Sequence, residues 1–114
     1  MNIYSKHNKT TPGWGYWGNY GEIDMGFSSG LIEKVEDYAG EPLHYHKKAT
    51  TYMLVLDGVG LVEIDGIETR VEKESLLRID PTERYRVLGA AEVPFRWIVV
   101  STNKEPGDRV VVES

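Results

Sequence analysis

The chain has 114 residues, enough for one domain with a real core and too few for two. Hydrophobic residues at 40% and charged residues at 27% fit a soluble globular protein, and a net charge of −5 argues against nucleic acid, which asks for a basic face. No run is apolar long enough to span a bilayer, the N-terminus lacks the apolar stretch of a signal peptide, and the absence of cysteine removes disulfides and thiolate metal sites. A cytoplasmic protein without membrane or nucleic-acid partners is the expectation.

Residues 1–20 read as a segment of their own. "TPGWGYWGNYG" sets Trp14, Tyr16, Trp17 and Tyr20 among glycines and a proline. Such a stretch has little regular structure of its own, yet its aromatics are costly to leave exposed. It is expected to be an arm packed over the rest of the chain or over a partner subunit. The alternative is a stacking surface for a sugar or other planar ligand.

Residues 21–114 read as a single domain of short strands. "GEIDMGF" alternates, with Ile23, Met25 and Phe27 on one face, and "GLIEKVE" is similar. "TYMLVL", "VGLVEI" and "IETRV" are separated by two Asp-Gly pairs, the strongest short hairpin signal because both turn positions tolerate positive φ. Residues 51–71 are thus expected to form a three-stranded meander with turns at Asp57-Gly58 and Asp65-Gly66. "SLLRI" (75–79), "RYRVL" (84–88), "FRWIVVS" (95–101) and the tail "RVVVE" add further strands. Nowhere do apolar residues recur at helical spacing for the length a helix needs. Regularly spaced strands of this kind make an all-β, antiparallel barrel or jelly roll.

"HYHKKATTY" carries the chemistry. On a strand, residues two apart face the same way, so His44 and His46 share one face and Tyr45 takes the other. Two converging imidazoles begin a metal site, which needs a third and usually a fourth ligand. Equally, they are hydrogen-bonded polar residues lining a wet cavity, able to bind an organic ligand or to act as general acid or base. If Tyr85 points inward, Arg84 and Arg86 point outward, towards surface glutamates or a partner. Lys47 and Lys48 read as a solvated turn.

With His44-x-His46 in an all-β chain ahead of a glycine turn, the sequence resembles the cupin superfamily. In "GEPLHYHKKATTYMLVLDG", Gly40, His44, His46 and Gly58 take positions of that family's first motif, and Thr51 stands where the family has its metal-binding glutamate. In "ESLLRIDPTERYRV", Tyr85 stands at the histidine of the second motif, with Glu74, Asp80 and Thr82 in place of its glycine, proline and turn glycine. The resemblance implies a cupin barrel in which His44, His46, Thr51 and Tyr85 ring one point. They are its ligand-binding candidates, with His44, His46 and Tyr85 also the catalytic and metal-ligand candidates.

The family site, three imidazoles and a carboxylate, suits a divalent transition metal. Thr51 removes the anionic ligand, so the expectation is no tightly held metal, or a weakly bound divalent ion. "PGWGYWGNY", "HYH" and "GLVEIDGIETRV" are similar in texture to the sugar-handling branch, which points to a sugar-like small-molecule ligand. Small cupins commonly pair through N-terminal strands, which implies a homodimer involving the aromatic arm. The leading expectation is therefore a small-molecule-binding barrel, with catalysis undecided. A non-catalytic sensor or assembly module, and a metal-dependent isomerase or dioxygenase, remain as alternatives.

Overall fold

Runs of β-branched and aromatic residues broken by glycine turns form nine strands in the computed structural model, which describes residues 1–9, 13–18, 23–38, 40–102 and 105–112. They are β1 (Lys6–Asn8), β2 (Trp14–Trp17), β3 (Gly26–Ile32), β4 (His44–His46), β5 (Thr51–Ile64), β6 (Ile67–Glu72), β7 (Leu76–Ile79), β8 (Tyr85–Ser101) and β9 (Arg109–Val111). Every pairing is antiparallel. Among the described residues, one 3-10 turn at Val35–Asp37 interrupts them. No helix among the described residues is long and apolar enough to cross a membrane.

Two long, bent strands organise the sheet. The C-terminal half of β8 lies between β3 and β5, with Ser101 opposite both Gly26 and Thr51. Its N-terminal end lies between β5 and β4, with Tyr85 opposite both Ile64 and His44. β5 likewise pairs with β7 through its first half and with β6 through its second. The nine-stranded sheet therefore folds back on itself as a jelly roll.

Alternation along β5 shows which side is the core. Thr51, Met53 and Val55 are buried, while Tyr52, Leu54 and Leu56 are more exposed. Met53, Val55, Val62, Val71, Val87, Phe95 and Trp97 make the centre of the core. Phe95 and Trp97 stack at 4.6 Å and 27°. Gly30 faces the Trp97 ring and Gly60 the Phe95 ring, so that a Cβ on either glycine would collide with the indole or the phenyl ring. Trp14 from the N-terminal segment packs edge-on against Trp97 at 5.4 Å.

Four expectations are corrected. Asp57-Gly58 is not a hairpin turn: β5 continues through it, and the register with β8 shifts on both sides of Asp57. It is a β-bulge that bends the strand, with Gly58 at φ 75°. Of the two Asp-Gly pairs only Asp65-Gly66 closes a hairpin, so residues 51–71 give two strands instead of three. Residues 84–88 and 95–101 belong to one strand, β8, except for Arg84, which precedes it. The upstream strand begins at Gly26, after Ile23 and Met25, and "GLIEKVE" leaves it at Ile32 for the 3-10 turn. Finally, the aromatic segment is not irregular, since β1 and β2 extend the sheet beyond β3. Tyr20, Gly21, Glu22 and Glu113 lie outside the described residues.

Candidate functional site

The jelly roll holds a cavity of about 520 Å³. β4 delivers two of its polar side chains. His44 is opposite Tyr85 on β8 and Val111 on β9, and His46 is opposite Arg109. Cross-strand partners share a face, so this register turns His44, His46, Tyr85 and Arg109 to one side. All four line the cavity. The rings are close: His44 lies 4.3 Å from Tyr85 and 5.5 Å from His46, centroid to centroid.

The hydrogen bonds fix both imidazole tautomers. His44 Nδ1 is 2.9 Å from the Pro42 carbonyl, which can only accept, so Nδ1 carries the proton. Glu41 Oε1 lies 3.2 Å from the same nitrogen. His46 Nδ1 donates to Asp108 Oδ2 at 3.1 Å, which leaves Nε2 to accept from the Tyr85 hydroxyl at 3.2 Å. Asp108 is buried, and its other oxygen accepts the Lys48 backbone N–H at 2.7 Å. The result is a directed chain from the Tyr85 O–H to His46 to the Asp108 carboxylate.

Thr51 joins the same group through Tyr85 without itself reaching the cavity surface. It is fully buried on the inward face of β5, its hydroxyl 3.2 Å from that of Ser101, which does line the cavity. The Thr51 hydroxyl also interacts with the Tyr85 phenol and, as a donor, favours its ionised form. Thr51 therefore supports Tyr85.

Burial sets the protonation states. It lowers His44 from 6.5 to about 4, against the Pro42 hydrogen bond and with the help of Arg109 and His46. Burial also lowers His46, outweighing the pull of Asp108, so both imidazoles are neutral near pH 7. Glu41 is pushed by burial from 4.5 up to about 7, with Arg109 opposing. Tyr85 is raised by burial and by Glu41, and so stays a phenol.

These donors do not make the shell of a tightly held dication. Among the described residues, no three His, Cys, Asp or Glu side chains are grouped to hold a metal. His46 has both nitrogens engaged, and Thr51 offers only a buried, neutral hydroxyl. Arg109, whose charge already disfavours protonation of both histidines, opposes a metal cation in the same way.

Asp108, Glu41, Arg109 and Ser101 were not singled out by the sequence. Glu41, three residues before His44 in "GEPLHYH", had a local signal in its proximity to the histidine pair. Asp108 had none, because 62 residues separate it from His46.

A protein-family model described as the cupin domain matches residues 31–101. The tetracenomycin polyketide synthase protein TcmJ of Streptomyces glaucescens is 30% identical over 76 residues, covering 65% of this chain and 51% of TcmJ. The chain thus spans about half the length of that curated relative. Pac13, described as a unique nucleoside dehydratase, superposes with a TM-score of 0.76 at 13% identity, covering 99% of this chain and 92% of Pac13. Variants of Pac13 from Streptomyces have been solved with uridine. A cupin protein from Bacteroides fragilis superposes with a TM-score of 0.67 at 18% identity over the full length of both chains. At these identities the structural likenesses speak for the fold.

Proposed function

The chain belongs to the cupin domain family, and we propose that its barrel binds a small polyhydroxylated, sugar-like molecule and moves a proton on it without a metal ion. The observation that carries this reading is the chain Asp108–His46–Tyr85, which ends on a phenol at the cavity wall. It follows the logic of an acid–base triad, in which the carboxylate fixes the imidazole tautomer and steadies the imidazolium once it forms.

The Tyr85 oxygen takes a proton from an acidic C–H of the ligand while its own proton passes to His46 Nε2. Asp108 holds the resulting imidazolium, and Thr51 steadies the phenol. Glu41, half-protonated near pH 7 because it is buried, is the group that returns a proton elsewhere on the ligand. If that proton goes to a hydroxyl β to the new carbanion, the C–O bond breaks and water leaves. If it goes back to carbon, the product is an epimer or tautomer. Pac13, which is described as a nucleoside dehydratase, lends support to the first outcome.

The test uses chelator-treated protein in D2O with a panel of keto sugars and nucleosides, followed by proton NMR. Exchange of a ligand C–H into solvent is expected without added metal, and Tyr85→Phe and His46→Gln are each expected to abolish it. Exchange that requires added metal, or that survives both substitutions, contradicts the proton chain. Saturation transfer in the same samples reads binding on its own, and binding without exchange in the unmodified protein favours the non-catalytic sensor.

A further inference from the structure

Arg109 is a charged group of the cavity wall that the proton chain does not use. Its place opposite His46 on β9 turns it to the cavity side, and it lines the wall there while remaining exposed to solvent. From that position its charge reaches four groups of the site. It favours the ionised forms of Glu41 and Tyr85 and disfavours protonation of His44 and His46.

No acid of the wall forms a close ion pair with it. Asp108 is engaged by His46 and the Lys48 N–H, Glu105 pairs with Lys48 Nζ at 3.5 Å, and Glu41 sits against His44, with Arg109 favouring its ionised form without a close contact. Among the described residues, no carboxylate forms an ion pair with Arg109. Lys9 adds a second positive charge to the wall, its ammonium 5.9 Å from the Trp14 ring. A guanidinium presents a planar fork of donors that matches a carboxylate or phosphate in a two-point contact. At the open side of a cavity whose acids already have partners, that fork faces the space a ligand would fill.

We propose that the molecule taken by this cavity carries an anionic group, carboxylate or phosphate, and that Arg109 binds it at the mouth while the hydroxylated remainder reaches Tyr85 and His46. The inference rests on the sugar-like ligand argued above and adds its charge. It also assigns Arg109 as the residue that sets specificity, in a position where neither histidine motif would have drawn attention to it. The cavity, at about 520 Å³, is within the usual range for small-molecule sites and accommodates a six-carbon chain with an acidic end.

Three probes that share one polyol chain separate the possibilities: glucitol, gluconate and glucitol 6-phosphate. Isothermal titration calorimetry of the full chain is expected to give at least tenfold tighter binding for one of the anions than for neutral glucitol. Whichever anion is preferred identifies carboxylate or phosphate as the group recognised. Arg109→Gln is expected to erase that preference while glucitol binding stays within about twofold. Arg109→Lys, which keeps the charge without the fork, is expected to fall between the two and serves if the glutamine variant does not fold. Equal affinity for all three probes, or a preference that survives Arg109→Gln, overturns the assignment while leaving the sugar-like reading in place. Failure of all three to bind the folded protein overturns both.

Discussion

Glu41 and His44 touch at 3.2 Å and respond to pH in opposite senses. Between about 4 and 6.5, the unfolded chain holds a proton on His44 that the folded chain does not, so this group makes stability rise with pH. Between 4.5 and about 7, folded Glu41 keeps a proton that the unfolded chain has lost, so this group makes stability fall. The two largely cancel where their ranges overlap, and above pH 7 the buried carboxylate remains as a cost. Glu41→Gln removes the falling contribution. The variant is expected to be more stable than the parent at about pH 8, by up to ~3 kcal/mol on the linkage relation, and no different below about pH 4. Urea unfolding at the two pH values checks this, and equal stability at the higher pH would contradict the burial of Glu41. At this scale, strand parity brought His44 and His46 to one face, and the motif register placed Tyr85 beside them. Their anchors were hidden because Asp108 and Arg109 meet β4 only through β9, a pairing that no local pattern announces.

Among the elements, the bulge in β5 shows how a sound local signal can be used for something else. Asp-Gly supplies positive φ wherever it stands. It makes a hairpin only if the flanking strands pair with each other, and Val59–Ile64 pairs with β6 and β8 instead. Gly58 and Gly66 therefore differ although both have positive φ, 75° and 82°. A Cβ at Gly58 would meet the carbonyl oxygens of Pro94 and Glu92, whereas nothing lies within 4 Å of one at Gly66. Gly66→Ala is expected to cost about 1 kcal/mol from backbone strain alone, and Gly58→Ala at least ~2 kcal/mol more because the backbone of β8 cannot yield. Denaturant unfolding of both variants decides it; equal losses would mean that the bulge tolerates a side chain. Strand content was legible from alternation, while strand length was not. β5 and β8 each continue as one strand through their bends, which look like breaks in composition.

For the whole molecule, the outer face of the sheet asks for a cover. The register aligns Trp17, Phe27, Val100 and Tyr52 in one row across β2, β3, β8 and β5, and Ile98, Leu54 and Leu76 in the next. Leu54 and Leu76 are 38% and 64% exposed. An apolar patch of this kind on a small domain suits a second copy of the chain, as expected for the aromatic segment that contributes Trp17. Light scattering at micromolar concentration is expected to find a dimer, and Leu54→Lys combined with Leu76→Lys a monomer. A monomeric parent protein would mean that this face stays in water.

Elemental analysis of the native protein after dialysis against a chelator tests most directly whether the barrel works through hydrogen-bonded donors and without a resident metal. Far less than one equivalent of iron, manganese, nickel or zinc is predicted, because His46 spends both nitrogens on Asp108 and Tyr85 and Arg109 adds a positive charge to the same wall. One full equivalent retained per chain would contradict that account, and the proton chain from Tyr85 to Asp108 with it.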